Sequence, residues 1–198
     1  DGQRVPAPPL RWTPSGRLVF GPVGSLLALQ PSVNDTLTLA TGQGYIRDYD
    51  VASDGRLAIV SNVPLQTGMR LRAQRVAGGP LVPVPGSADF NPAAVRWTVD
   101  GQRLATTAID SVQVASEWYH HLIAQLVELD ASAPPIRAPG VTARGLHGWT
   151  RDGRLVITGI PASSSAGPQD VFLVRFGGAT ENLTQSPTAD DQSAIVAR

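Results

Sequence analysis

Trp12-Thr-Pro-Ser-Gly16-Arg-Leu-Val-Phe20 opens a phrase that this chain uses four times. It returns as Val51-Ala-Ser-Asp-Gly55-Arg-Leu-Ala-Ile59, Trp97-Thr-Val-Asp-Gly101-Gln-Arg-Leu-Ala105 and Trp149-Thr-Arg-Asp-Gly153-Arg-Leu-Val-Ile157. Each copy reads as an apolar approach, a tight turn and a second apolar strand. Glycine tolerates positive φ, and Asp can bond the local backbone, so Asp-Gly between apolar runs predicts a hairpin. The turn glycines lie 39, 46 and 52 residues apart, about the length of one four-stranded propeller blade.

Working outward, Leu18/Phe20, Leu57/Ile59 and Leu155/Ile157 follow their glycines at positions two and four, which places each pair on one face of a strand. The third copy slips by one because Gln102 is inserted, which predicts a turn one residue longer. Trp12, Trp97 and Trp149 stand four residues before the glycine, with Val51 in the second copy. Recurrence at one structural position predicts rings that fill the wedge between neighbouring blades rather than a row of sugar-stacking tryptophans.

Third strands are expected at Arg70–Val76, Leu122–Leu129 and Asp170–Phe176, with outer strands near Leu81–Val84, Pro135–Ala138 and Glu181–Thr184. The later strands of the least regular first blade are placed near Ser25–Gln30 and Thr36–Thr41. For Glu117–Leu129 a short amphipathic helix competes with a strand, because Trp118, Leu122 and Leu126 recur at helical spacing.

Trp-Thr-x-Asp-Gly-x-Leu, the third strands ending in small residues, and Asn182-Leu-Thr-Gln-Ser-Pro187 followed by Asp190-Asp191 resemble the TolB-type, WD-repeat-like β-propeller family. The resemblance covers about residues 10–198 and is specific for fold rather than function. It departs from the family pattern in using Thr at the second turn position (Thr13, Thr98, Thr150), in lacking Trp in the second copy and in its irregular first blade. The expected fold is all-β: a β-propeller with four recognisable four-stranded blades, at about 10–44, 45–90, 91–141 and 142–188. Residues 1–9 are an extension or the remnant of a preceding blade. Ser193–Ala197 reads as the start of a further blade over 189–198, so the expected parent is a larger propeller, of which this chain is a part.

Composition narrows the function. Net charge is zero, with 16 basic residues, all Arg, against 16 acidic ones. That leaves no basic excess to neutralise a phosphate backbone and argues against nucleic acid as a partner. Without Cys there is no disulfide framework, zinc-thiolate site or thiol nucleophile. No apolar run approaches the ~20 residues that span a bilayer as a helix. The Arg-only, Ala-, Gly- and Pro-rich composition suggests a bacterial source, and an extracytoplasmic location is expected.

The Asp-Gly turns are minimal, so binding is expected on the opposite connections: Ser61–Met69, Ile109–His121 and Ile160–Gln169, with Pro85–Pro92 and Pro139–His147 between blades. The richest is Ile109–His121, with Asp110, Glu117, Trp118, Tyr119, His120 and His121. It reads as a recognition loop whose aromatics anchor a partner, against the plainer reading of an extended loop packed on a blade edge. Adjacent histidines on a strand face opposite ways and cannot easily share an ion, so no metal site is expected there. Asp48, Asp50 and Asp54 lack the bidentate Glu of a calcium-hand loop. Asn34-Asp-Thr36 and Asn182-Leu-Thr184 match glycosylation acceptors, a pattern common by chance. No Gly-x-Ser-x-Gly elbow, His-Glu-x-x-His or phosphate loop occurs.

The function expected is therefore a non-enzymatic binding or scaffold module that takes a protein or peptide partner and needs no cofactor. The alternatives are an accessory or gating propeller of a larger enzyme such as a prolyl-oligopeptidase-like serine peptidase, and glycan or cell-wall binding.

Overall fold

The turn of each repeated phrase closes by the same pair of backbone bonds. The Thr13 N–H donates to the Arg17 carbonyl at 2.8 Å and the Gly16 N–H to the Thr13 carbonyl at 3.0 Å. Ala52, Thr98 and Thr150 repeat both bonds with Arg56 and Gly55, Arg103 and Gly101, and Arg154 and Gly153. Gly16, Gly55, Gly101 and Gly153 hold φ of 76°, 88°, 67° and 76°, the left-handed region that a Cβ makes costly. The third turn spans one residue more, through the inserted Gln102. At the second turn position the side-chain hydroxyl joins the closure. Thr13, Thr98 and Thr150 Oγ1 accept the N–H of Arg17, Arg103 and Arg154 at 2.9, 3.0 and 3.0 Å.

The computed structural model describes residues 7–62, 68–87, 89–114, 117–164 and 167–185, with 111–114 and 117–120 described by their backbone alone. The strand expected at Ser193–Ala197 lies outside the described residues. Four antiparallel four-stranded sheets follow one another along the chain. The first is β1 (Arg11–Trp12), β2 (Leu18–Phe20), β3 (Leu26–Gln30) and β4 (Asp35–Ala40). The second is β5 (Ile46–Val51), β6 (Leu57–Asn62), β7 (Met69–Gln74) and β8 (Leu81–Pro83). The third is β9 (Val95–Trp97), β10 (Arg103–Val114), β11 (Glu117–Glu128) and β12 (Ile136–Arg137). The fourth is β13 (Val141–Trp149), β14 (Leu155–Pro161), β15 (Asp170–Val174) and β16 (Thr180–Asn182). Within each sheet the strands neighbour one another in chain order, as short turns require.

The chain divides into two compact units, Asp1–Trp97 and Thr98–Arg198. In the first, Val19, Leu26, Ile46, Tyr49, Leu57 and Ile59 are fully buried or nearly so and belong to one cluster. In the second, Leu104, Ala105, Ala124, Ala143, Leu155, Ile157 and Val174 are fully buried. The second strands of the later sheets are buried without alternation over Leu57–Ser61, Leu104–Ala108 and Leu155–Ile160, as expected of strands covered on both faces.

The outer strands are closed by a recurring bond from the residue just past or at their ends. The N–H of Val84, Ala138 and Leu183 donates to the carbonyl of Leu71, Ala124 and Val171 at 2.9, 2.8 and 2.8 Å. In the fourth sheet side chains reinforce it. Asn182 Nδ2 donates to Asp170 Oδ2 at 2.7 Å and Thr184 Oγ1 to Asp170 Oδ1 at 3.2 Å. The amide of Asn182 is thereby occupied in a structural clasp.

Three expectations need correction. The Ile109–His121 connection is strand, not loop: β10 and β11 pair residue for residue from Arg103↔Glu128 out to Val114↔Glu117. For Glu117–Leu129 the strand reading holds over the helical alternative, because the β10 register captures Glu117–Glu128. Pro139–His147 is mostly strand β13, whose bulges at Ala143/Gly145 and Leu146/Gly148 let a Gly-rich segment stay paired. The wedge reading expected one shared environment for the three tryptophans, and their surroundings differ. Trp97 is 3% exposed with the Arg56 guanidinium 4.6 Å from its ring centroid. Trp149 packs on Phe176, two residues past the end of β15, centroids 6.0 Å apart, and Trp12 is 59% exposed.

Candidate functional site

The β10–β11 hairpin carries every residue singled out for partner contact. Each of its strands is twelve residues long, whereas β9 has three residues and β12 two. Strand β12 pairs with Gln125 and Leu126 only. Among the described residues, the two strands toward the tip therefore pair with each other alone. A two-stranded ribbon of this kind is marginal in water by itself and leaves two backbone edges open.

Asp110 stands opposite His121, Ser111 opposite His120, Val112 opposite Tyr119, Gln113 opposite Trp118 and Val114 opposite Glu117. The register thus collects Asp110, Glu117, Trp118, Tyr119, His120 and His121 on one short ribbon. Asp110 and His121 are half-buried. Asp110 Oδ2 accepts from Arg137 Nη1 of β12 at 3.2 Å, an exposed ion pair that contributes little to stability. Ile109 is 39% exposed and marks where the covered base of β10 gives way to the ribbon.

The turn face is chemically quiet. Asp152 Oδ1 accepts from Thr150 Oγ1 and Asp100 Oδ1 from Thr98 Oγ1, both at 2.5 Å. These bonds, reinforced at Asp100 by the Gln102 N–H, hold both carboxyls below the ordinary carboxylate value. Asp54 and Asp152 also take Arg56 Nε and Arg154 Nε at 2.7 Å. Their charges are used within the turns.

Asp48 and Asp50 have a role that sequence reasoning missed. A bulge between Ile46 and Asp48 turns Arg47 outward and leaves Asp48 and Asp50 two apart, hence on one face of β5. Asp48 Oδ1 accepts from Arg11 Nη2 of β1 at 2.7 Å. Its Oδ2 accepts from Arg96 Nη1 of β9 at 2.6 Å and from the Val95 N–H at 3.0 Å. Asp50 Oδ2 accepts the Trp97 N–H at 2.8 Å. Two buried carboxylates thus tie the first strands of three successive sheets together. Burial lowers the Arg11 pKa despite the attraction of Asp48. Burial also raises that of Tyr49, whose hydroxyl donates to the carbonyls of Pro9 and Val19 at 2.6 and 3.0 Å. The only sequence signal was Asp-x-Asp on a strand, since the partners lie 37 to 48 residues away. Among the described residues no cluster of three or more His, Cys, Asp or Glu could hold a metal ion.

No protein-family model matches this chain, and no curated protein matches it. Solved structures do resemble it. A candidate gluconolactonase superposes with a TM-score of 0.54 at 15% identity, over 89% of this chain and 62% of its own. Hydrazine synthase from Kuenenia stuttgartiensis superposes at 0.55 and 14% identity, over 93% of this chain and 55% of its own. The chain folds as β-propeller blades. A puromycin hydrolase gives 0.42 at 16% identity, over 83% of this chain and 26% of its own. At these identities the likeness is one of fold, and fold does not carry function with it. The propeller spans less than two thirds of the length of each of these structures.

Proposed function

We propose that this propeller is a non-enzymatic binding module of TolB-like type, acting outside the cytoplasm, and that the β10–β11 ribbon is its contact element for a protein or peptide partner. The observation that carries the reading is the length of the hairpin beside its short sheet neighbours. A ribbon with two unpaired edges gains stability when a partner strand or surface covers it. Its sequence places Trp118 and Tyr119, residue types that dominate interface energetics, next to charged and imidazole groups. The TolB-like assignment draws support from the hydroxyl-closed Trp-Thr-x-Asp-Gly turns and from the Asn182–Thr184 clasp on Asp170.

The test is a paired affinity capture from a periplasmic extract, using the chain and its Trp118→Ala/Tyr119→Ala double variant. The expected outcome is loss of a defined partner from the variant while its thermal unfolding midpoint stays within about 2 °C of the parent, because a ribbon outside the core contributes little to folding. Equal recovery of the same partner by both proteins would overturn the assignment.

A further inference from the structure

A groove of about 360 Å³ runs between the outer strand of the first blade and the second blade, within the first unit. Its wall is built from Thr38, Thr41, Gln43, Arg72, Gln74 and Leu81, with no acidic residue among those lining it. Arg72 sits on β7 between Leu71 and Ala73, both buried, so the alternation of the strand turns it away from that core face. Arg72 is half-buried, and among the described residues it makes no ion pair. Partial burial lowers its pKa, the mark of a cation that has lost water without gaining an anion.

The surrounding amides are already committed and hold it in place. Gln43 Oε1 accepts from Arg72 Nη1 at 2.5 Å, and Gln43 Nε2 donates to the Thr41 carbonyl at 2.8 Å, which fixes the amide's orientation. Gln74 Oε1 accepts the Leu57 N–H at 3.0 Å and its Nε2 donates to the Gly79 carbonyl at 2.8 Å. A guanidinium has five N–H donors in a rigid fork. One donor orients Arg72 on Gln43, which leaves a fork of matching geometry for a second acceptor.

We propose that this groove binds a carboxylate, with Arg72 as its anchor and the Thr38 and Thr41 hydroxyls at its rim. A single guanidinium balances one negative charge and pairs with a planar carboxylate in bidentate fashion. A phosphate dianion would keep an uncompensated charge here. Leu39 and Leu81 border the groove and are half-buried against the core, so the surface open to a ligand is mainly polar, which suits the charged end of a molecule. The carboxylate could come from a small organic acid or from a peptide C terminus. The site lies on the first unit and stands independently of the ribbon.

Calorimetric titration of the full chain with four probes distinguishes these sources: lactate, N-acetyl tetra-alanine as the free acid, the same peptide as its C-terminal amide, and inorganic phosphate. The free-acid peptide is expected to bind at one site and the amide at least about tenfold more weakly, since a charge-assisted bond is lost. Arg72→Gln should weaken the free acid by a similar factor, Arg72→Lys by less, and Arg47→Gln, at the exposed position of β5, not at all. Binding of lactate as well supports a general carboxylate site, and binding of the peptide alone supports a chain terminus. Equal affinity for acid and amide, full binding by Arg72→Gln, binding of phosphate alone, or no binding by any probe would each overturn the proposal.

Discussion

The seam around Asp48 and the ribbon of β10 and β11 use similar residue types in opposite ways. In the seam, Asp48 is 5% and Arg96 4% exposed, and the carboxylate accepts from two guanidiniums and a backbone N–H. On the ribbon, Asp110 meets one exposed Arg137 across the sheet. Charged groups inside a junction between sheets must be paired, because an unpaired buried charge is costly. Charged groups on an exposed ribbon carry no such requirement and are free to serve a contact. The same side chain is a structural tie in one place and a surface feature in the other, and its neighbours decide which.

The seam predicts the largest effect. Asp48→Ala removes the carboxylate that buried Arg96 faces and the acceptor of the Val95 N–H, and is expected to cost about 3–5 kcal/mol in urea unfolding. A loss below about 1 kcal/mol would mean that the junction tolerates the open charge, and the contrast with the ribbon would fail.

A pair of substitutions on one strand sharpens the comparison. Leu104 at the base of β10 is 0% exposed and Ile109, five residues on, is 39% exposed. Leu104→Ala should cost about 2–5 kcal/mol through the cavity it opens, and Ile109→Ala about 1 kcal/mol or less. Comparable losses in chemical denaturation would show that the ribbon is part of the cooperative core.

The smallest effect falls on the turns. Thr98→Val removes the hydroxyl that accepts from Arg103 and donates to Asp100, at an expected cost of about 0.5–1.5 kcal/mol. The pH dependence has a definite sign. The folded Asp100 carboxyl titrates below its ordinary 3.8, with the Thr98 hydrogen bond as the main cause. Its contribution is therefore complete above that value and is lost as pH falls through the lower folded one. Thr98→Val should flatten this acid limb, so the deficit relative to the parent is largest at neutral pH and shrinks toward pH 3. A deficit that grows on acidification would contradict the assigned role of the hydroxyl.

The legible part of the fold was the part written locally. The four turns, the longer third turn and the second strands announce themselves within a few residues of an Asp-Gly or Ser-Gly, and the outer strands at Leu81, Ile136 and Thr180 follow the small-residue turns at Ala77–Gly79, Asp130–Ser132 and Gly177–Gly178. The site was legible in composition and not in form. Asp110 and Glu117–His121 stood out as an unusual cluster, yet Trp118, Leu122 and Leu126 fit a helix as well as a strand. Only cross-strand pairing with β10 decides between them. Trp12, Trp97 and Trp149 looked equivalent because their places in the phrase are equivalent, but the guanidinium that covers Trp97 comes from the preceding blade.

What the sequence determined by itself is the blade: turn chemistry closes bonds between residues four or five apart, and no other part of the molecule is needed for that. What only the tertiary structure decided is the set of groups brought together from afar. These are Arg11, Asp48 and Arg96 across three first strands, Gln43 and Arg72 across 29 residues, and the long pairing that makes a ribbon of the predicted loop. The physical reason is the range of the interactions. A turn depends on φ and on adjacent hydrogen-bonding groups, whereas an ion pair, a groove or an added length of strand depends on which surfaces meet after the chain has folded.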